Sequence, residues 1–310
     1  MSSSLINLLN ECSMQYEIYE YFLHPNFTFR KIVSKLFCLL ARYSTIASDL
    51  IEPSKWINKA DKKLLEKNNV LKHKYKNQRC FILATGPSLN KVDLDLLNGE
   101  VTIGVNSIWQ HYDFTKWEPE VICYVHPIET EYQKSDSWKK YFSEFQLISK
   151  KSTLLTRLRE KKIIETQQLF PLDRTKFISF GKELHRVRNV NFDLTRNIPS
   201  SKTVGVTAII TAVYMGCNPI YLLGFDHDWL TQRGSTTHFF KKEDALIEEE
   251  VGSTIHGDYD FYCREAVTVW KAYKVLKKAL DKMGIEILNA SPDSFLDVFP
   301  VINYNDIFKK

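Results

Sequence analysis

The fold is decided by residues 80–89, which run Cys-Phe-Ile-Leu-Ala-Thr-Gly-Pro-Ser-Leu. An apolar run that passes directly into Gly and Pro is typical of a buried strand followed by a tight turn. Gly86 lets a ligand approach the backbone closely, and Ser88 offers a hydroxyl and a main-chain N–H where a helix begins. The pattern is neither G-x-G-x-x-G nor a P-loop, so neither a nicotinamide site nor a Walker-type site is indicated. An ordinary strand-to-helix turn explains it equally well.

Short β-branched runs alternate with helical patterns from Arg79 onward. This rhythm predicts a Rossmann-like α/β fold, a doubly wound and mostly parallel sheet with helices on both faces. The predicted strands are Cys80–Ala84, Val101–Val105, Val121–Val125, Lys176–Phe180, Ile220–Leu223 and Ile285–Leu288. The predicted helices are Leu94–Leu97, Ser137–Phe145, Val204–Met215 and Tyr262–Met283. Apart from the predicted strand Lys176–Phe180, the segment Lys150–Ser201 is interpreted as basic and irregular. The helix Val204–Met215 is apolar enough to be buried on all sides.

The chain divides into two parts of different character. Residues 1–75 are predicted to be an N-terminal helical appendage, and residues 76–310 a nucleotide-sugar-binding catalytic domain with a polar lid segment at 229–260. Residues 27–51 have the pattern of a basic amphipathic helix. We expect that helix to pack against the main domain or a second subunit, as in a homo-oligomer. Peripheral contact with an anionic membrane surface is the alternative.

Composition excludes several classes of protein. A net charge of +5 over 310 residues is too mild for a nucleic-acid binder, although it favours anionic ligands. The six cysteines show no metal-binding spacing, which fits a reducing compartment. Neither a signal peptide nor an apolar run of about 18 residues is evident in the sequence. We therefore expect a cytoplasmic protein, at most held at the inner face of the membrane.

Polar residues follow two further strands, and others open the buried helix. Asn106 ends the second predicted strand and His126 the third, where the side chains of a parallel sheet face its ligand crevice. The buried helix opens with Lys202-Thr203-Val-Gly205, and its free N–H groups suit an anion. Each of these residues has a plainer explanation, since Asn is common in turns and Thr is a good helix cap.

Taken in order, these motifs resemble those of the small bacterial sialyltransferases that cap lipooligosaccharides. They also resemble those of the wider MptE-like group, which is named for a hydroxymethylpterin pyrophosphokinase and is common among surface-polysaccharide genes. The likeness runs patchily from Arg79 to Pro300 and includes Tyr-x-x-Gly-x-Asp at 221–226. It departs from the sialyltransferases at Thr85 and His126, where they have Asn, and at Val204, where they have Ser.

The resemblance implies an inverting glycosyltransferase of lipopolysaccharide or capsule biosynthesis. The donor would be a CMP-activated sugar such as sialic acid, a related nonulosonic acid or Kdo, and the acceptor a glycan or glycolipid. A lid histidine would remove the acceptor's proton, and we favour His256 over His238. The loops would hold the donor through Gly86, Pro87, Ser88, Asn106, His126, Lys202, Thr203, Gly205, Asp226 and His227. Arg186 and Arg188 would bind the sugar carboxylate, which a guanidinium fork matches well.

Asp226-His227-Asp228 has the Asp-x-Asp form that holds a divalent ion against a diphosphate in other glycosyltransferases. A CMP-sugar leaves with a single phosphate and needs less neutralisation, so we expect no metal and no cofactor. The main alternative is an ATP-dependent, pyrophosphokinase-like transferase with Mg²⁺ or Mn²⁺ at Asp226 and Asp228. A non-catalytic nucleotide-sugar-binding assembly subunit is the third hypothesis.

Overall fold

The computed structural model describes residues 57–128, 136–228, 230–231 and 259–309. Its strands are β1 (Cys80–Leu83), β2 (Val101–Val105), β3 (Val121–Tyr124), β4 (Thr153–Arg157), β5 (Thr175–Glu183), β6 (Asn197–Ser200), β7 (Ile220–Leu223) and β8 (Ile287–Asn289). Its helices are α1 (Lys59–Glu66), α2 (Phe114–Trp117), α3 (Asp136–Ile148), α4 (Lys161–Gln167), α5 (Val204–Tyr214) and α6 (Tyr259–Met283). The eight strands form one sheet in the order β6-β5-β4-β3-β2-β1-β7-β8, and every pair is parallel. The predicted Rossmann-like fold is confirmed.

The stretch from Lys150 to Ser201 is more regular than its sequence indicated. It contributes β4, α4 and β6 in addition to β5, so its interpretation as irregular was wrong. Only the middle of Thr-Leu-Leu-Thr-Arg in β4 is apolar, which leaves little of a strand pattern to detect. The Asn-Ile-Pro-Ser of β6 contains a proline, which a strand tolerates because β6 lies at the edge of the sheet.

The sheet is buried on both faces, as expected of an all-parallel sheet. Along β1, Cys80 and Ile82 point into one apolar cluster and Phe81 and Leu83 into the other. The first cluster includes α5 and α6, and the second includes the aromatic side chains of α3. Ten of the eleven residues of α5 are buried, because this helix lies between the sheet and α6. The predicted burial of this helix is confirmed.

Residues 57–75, which the sequence placed with the appendage, pack against the sheet. Leu65 of α1 is fully buried, and the buried amide of Asn68 donates to Phe177 O at 2.7 Å and to Leu194 O at 2.8 Å. Asn68 thus bridges Phe177, a β5 residue that β6 does not pair, and Leu194, which lies in the loop before β6. The segment 27–51 lies outside the described residues. Within those that are described, no helix is long and apolar enough to cross a membrane.

The strand order creates one switch point. The chain runs outward from β1 through β2 to β6, then returns through α5 to β7 on the other side of β1. The loops that follow β1 and β7 therefore diverge, leaving a crevice at the carboxyl ends of the strands. Because α5 precedes β7, its N-terminus lies at that same edge of the sheet.

Candidate functional site

A cavity of about 310 Å³ opens at this switch point. Its volume is near the lower end for small-molecule sites, which span about 300–1,000 Å³. It combines apolar walls with main-chain and polar groups from four places in the chain: the ends of β1, β2 and β7 and the start of α5. The lining residues are Ala84, Thr85, Gly86, Val105, Asn106, Thr203, Val204, Gly205, Gly224, Phe225, Asp226, His227 and Asp228.

Two hydrogen bonds join the loops after β1 and β7. The Ser88 N–H donates to Asp226 Oδ2 at 2.7 Å, and the Ser88 hydroxyl donates to Asp226 Oδ1. Both carboxylate oxygens are therefore engaged by one residue, 138 positions away in the sequence. Burial raises the pKa of Asp226, the bonds from Ser88 oppose this rise, and the charge of Asp228 adds to it. The carboxylate acts here as a clamp between the two loops.

The clamp depends on two glycines. A Cβ at Gly86 would lie 2.5 Å from the Gly224 carbonyl oxygen and 2.5 Å from Asp226 Cγ. Gly224 has φ +71°, and a Cβ there would lie 2.5 Å from the Ala84 carbonyl oxygen. The main chains of the two loops touch directly, with Gly86 N–H donating to Gly224 O at 3.0 Å. Only glycine allows this approach.

Asn106 offers an unused acceptor to the cavity. It directly follows β2 and has φ +47°, a left-handed conformation that Asn tolerates better than most residues. Its Oδ1 atom is buried, and no described residue donates a hydrogen bond to it. A buried acceptor without a donor is costly, so a ligand N–H or O–H placed there would be favoured. Sequence reasoning found this residue from its position alone.

The N-terminus of α5 forms the opposite wall. Thr203 is its N-cap, with its side-chain oxygen accepting from Gly205 N–H at 3.3 Å. A Cβ at Gly205 would lie 2.5 Å from the Phe225 ring, so glycine brings the helix close to the loop after β7. Unpaired N–H groups and the helix dipole make such an end attractive to a phosphate.

His227 closes the cavity beside Asp226. Its φ is +51°, and its Nε2 atom lies 3.0 Å from the hydroxyl of Tyr273 on α6. The imidazole also makes edge-on contacts with the rings of Phe225, Trp270 and Tyr273. Burial lowers the pKa of His227 to about 4, so the ring is neutral at pH 7. Tyr273 was missed at the sequence level, because nothing local marks one tyrosine of a long helix as a partner of residue 227.

The other predicted site residues lie around the cavity or elsewhere. Gly86, Asn106, Thr203, Gly205, Asp226 and His227 line it, while Ser88 supports its wall through Asp226. Lys202 pairs with Glu265 at 3.4 Å, and His126 packs against Tyr124. Neither these two residues nor Pro87 is part of the lining. Arg186 pairs with Glu183 at 3.2 Å, and both Arg186 and Arg188 are exposed. His238 and His256 fall outside the described residues.

The chain is similar in sequence to one protein family and in structure to solved sialyltransferases. The family described as 6-hydroxymethylpterin diphosphokinase MptE-like matches residues 54–232. No curated protein sequence matches the chain. The sialyltransferase CstII from Campylobacter jejuni, solved with the substrate analogue CMP-3FNeuAc, is 14% identical with a TM-score of 0.45, covering 74% of this chain and 87% of that one. The monofunctional α-2,3-sialyltransferase Cst-I from the same organism is 16% identical with a TM-score of 0.43, covering 75% and 83%.

The buried, neutral His227 predicts a loss of stability in acid. The unfolded chain protonates this histidine near its ordinary pKa of 6.5, whereas the folded protein does so only near 4. Stability from this group is therefore complete above pH 6.5 and falls as the pH drops towards 4. Between pH 7 and pH 5 the wild type should lose about 2 kcal/mol of unfolding free energy that the His227→Asn variant does not lose, as measured by urea denaturation.

His73→Asn is the matched control, because His73 also has a left-handed φ but is exposed. Asn is tolerated in that conformation at both positions, so the two substitutions differ mainly in the buried imidazole. The control should follow the wild-type pH dependence. Parallel stability curves for the wild type and His227→Asn would contradict the buried neutral state.

Proposed function

The chain belongs to the MptE-like family, and we propose that it is a glycosyltransferase that uses a CMP-activated sugar of the sialic-acid type. The observation that carries the proposal is the engagement of both Asp226 oxygens by Ser88. A diphosphate-handling Asp-x-Asp motif needs its carboxylates free for a divalent ion. Here the first aspartate serves as a clamp between loops, and the phosphate side of the cavity is the N-terminus of α5. That arrangement suits a leaving group with a single phosphate.

The choice of CMP follows from the ordered motifs that resemble those of the small sialyltransferases. The polar groups of the cavity are compatible with it. Asn106 supplies an acceptor for an N–H or O–H of the nucleoside, and Thr203 with the first N–H groups of α5 supplies donors for the phosphate. We assign the remaining predicted donor residues, including His126 and Lys202, to the rim of the same site.

The proposed reaction is a single inverting displacement. A lid histidine, His256 or His238, takes the proton of the acceptor hydroxyl, whose oxygen attacks the anomeric carbon of the sugar. The bond to the phosphate oxygen breaks, and CMP leaves with the electron pair. Donors preorganised around that phosphate would favour departure because the charge develops there. Arg186 and Arg188 are proposed to hold the sugar carboxylate when the lid segment and the donor are in place.

The acceptor is proposed to be a cell-surface glycan or glycolipid, and the reaction to take place on the cytoplasmic side of the membrane. Contact with the membrane or with a second copy of the chain would be made by residues 27–51. The acceptor is inferred from the family resemblance, and the membrane or oligomer contact from the sequence pattern of residues 27–51. No partner is assigned to the described surface.

A second function is favoured by the family description and by one residue. The family is described as 6-hydroxymethylpterin diphosphokinase MptE-like, and Asp228 lines the cavity. A diphosphate transfer with Mg²⁺ at Asp228 would require Asp226 to leave Ser88 and turn towards the ion. The two functions therefore predict opposite effects of Mg²⁺ on nucleotide binding.

CMP should stabilise the full-length protein with or without EDTA. At 100 times its Kd a ligand adds about 2.7 kcal/mol to stability, which for a chain of 310 residues corresponds to a rise in Tm of about 4 °C. Thermal unfolding would be followed with CMP, CDP, UDP, GDP and ATP, each with Mg²⁺ and with EDTA. Stabilisation by ATP or a diphosphate only in the presence of Mg²⁺ would contradict the proposal and support the diphosphokinase. Equal stabilisation by all five would also contradict it.

Replacement of the lid histidines should separate catalysis from binding. The His238→Asn and His256→Asn variants would be assayed for release of CMP from CMP-sialic acid with a panel of glycan acceptors. Loss of the general base should lower kcat about 10²–10⁴-fold in one of them, with CMP affinity unchanged. The exposed His73 provides the control, and His73→Asn should keep full activity. Full activity in the double variant would exclude both histidines.

A further inference from the structure

The loop after β8 holds the main chain of the loop after β7. Beyond the last residue of β7, the Phe225 N–H donates to Ser291 Oγ at 3.0 Å, and the Phe225 carbonyl accepts from the Ser294 hydroxyl at 2.5 Å. One residue further on, the Asp226 carbonyl accepts from the Phe295 N–H at 2.8 Å. These bonds continue the link between the two segments beyond the ends of their strands, at the edge of the sheet where the cavity lies.

Two of these bonds set the backbone conformation of Asp226. The Phe225 carbonyl and the Asp226 N–H belong to one planar peptide unit, and the Asp226 carbonyl belongs to the next. Ser294 orients the first plane, and the N–H of Phe295 orients the second. Because the two backbone dihedrals of a residue define how its adjoining planes are turned, the direction of the Asp226 Cα–Cβ bond is fixed from the loop after β8. The carboxylate at the end of this side chain then meets both donors of Ser88.

The hydrogen of the Ser294 hydroxyl has only one direction left to it. The Ser294 oxygen accepts from Asn289 Nδ2–H at 3.0 Å and from Leu296 N–H at 3.1 Å. A hydroxyl oxygen has two acceptor positions and one hydrogen. Both acceptor positions are therefore filled, and the hydrogen donates to Phe225 O. Ser294 is thus a saturated group whose single donor is committed to the loop after β7.

Asn289 holds Ser294 in place, and its own orientation is equally determined. Its side chain is fully buried at the end of β8. Its amide oxygen accepts from Ser291 N–H at 3.0 Å, while its amide nitrogen donates to Leu296 O and to Ser294 Oγ, each at 3.0 Å. A main-chain N–H can only donate and a carbonyl can only accept, so the amide cannot be turned over without losing these bonds. One side chain outside the cavity lining therefore holds the loop that supports the cavity.

We propose that Asn289 and Ser294 are positioning residues for the cavity. Through the Phe225 carbonyl they fix the Asp226 main chain, which keeps the carboxylate on Ser88 before a ligand arrives. Neither residue lines the cavity, and the inference needs no choice of substrate, so it stands apart from the proposed function. Without the Ser294 hydroxyl, the peptide unit between Phe225 and Asp226 is free to turn, and forms without the clamp become more populated. Ligand affinity then falls with the fraction of protein that keeps the cavity formed.

Hydrogen exchange in the ligand-free Ser294→Ala variant tests the proposal. The Ser88 N–H donates to the Asp226 carboxylate, so a looser contact speeds its exchange. The Ser152 N–H is the internal reference, because it also donates to a carboxylate, that of Glu118 at 2.9 Å, but at the amino edge of the sheet. The ratio of the two exchange rates, Ser88 to Ser152, should rise about 10-fold over wild type when measured by NMR. An unchanged ratio would overturn the proposal, since a general loss of stability speeds both amides alike.

Ser149→Ala is the matched control variant. The Ser149 hydroxyl donates to Glu118 Oε1 at 3.0 Å, so it supports the reference contact as Ser294 supports the contact at Ser88. This variant should speed exchange at Ser152 and leave Ser88 at the wild-type rate. Faster exchange at Ser88 in the control would mean that loss of any such hydroxyl has this effect, and would overturn the proposal. If Ser294→Ala does not fold, Ser294→Cys keeps a weak donor of similar size and should raise the ratio to a smaller extent. A wild-type ratio in Ser294→Cys would contradict the proposal.

Binding of CMP adds a functional readout. Titration calorimetry should find that Ser294→Ala binds CMP about 5-fold more weakly than wild type, whereas Ser294→Thr, which keeps the hydroxyl, stays within about 2-fold. Equal weakening in both variants, or none in Ser294→Ala, would contradict the role of the hydroxyl. A wild type that does not bind CMP would count against the proposed function alone, because the exchange ratio is measured without a ligand and still decides the role of Ser294.

Discussion

The carboxyl edge of the sheet is organised around the two hydrogen bonds from Ser88 to the Asp226 carboxylate. They connect loops that diverge at the switch point between β1 and β7, and they do so inside the protein. Burying a carboxylate is costly unless its oxygens are satisfied, and Ser88 supplies one donor to each. The loop after β7 is held from its other side as well, since Phe295 N–H donates to Asp226 O at 2.8 Å. The cavity is therefore bounded by fixed groups before any ligand arrives.

Much of this could be predicted from the sequence, because the relevant signals are local. The apolar run before Gly86 and the apolar helix after Thr203 each carry their own pattern, and the order of the motifs fixes which strand ends meet. The parallel fold and the buried helix followed from these patterns. The strand order places these strand ends side by side, so the cavity is lined by the predicted residues Gly86, Asn106, Thr203, Gly205 and Asp226.

What the sequence did not show depends on contacts between distant residues. The clamp role of Asp226 is invisible in Asp-His-Asp, which has the form of a metal motif until Ser88 is placed beside it. Tyr273 lies 46 residues from His227, and one helical tyrosine resembles another. Strand β6 was not predicted because an edge strand can contain a proline and need not alternate apolar and polar residues. In each case the structure of the residue or strand is set by its tertiary neighbours, which a local sequence pattern does not encode.

The central claim is that Ser88 and Asp226 form one structural unit that holds the cavity at the switch point. A double-mutant cycle on Ser88→Ala and Asp226→Ala, measured by urea unfolding of the full-length protein, tests it most directly. A buried hydrogen bond to a carboxylate predicts a coupling free energy of about 1.5–3 kcal/mol. Additive effects, with a coupling below about 0.5 kcal/mol, would mean that the Ser88 hydroxyl is not committed to Asp226, because Ser88→Ala removes only the hydroxyl bond and keeps the main-chain N–H. That result would contradict the account and leave Asp226 Oδ1 available to bind a metal ion.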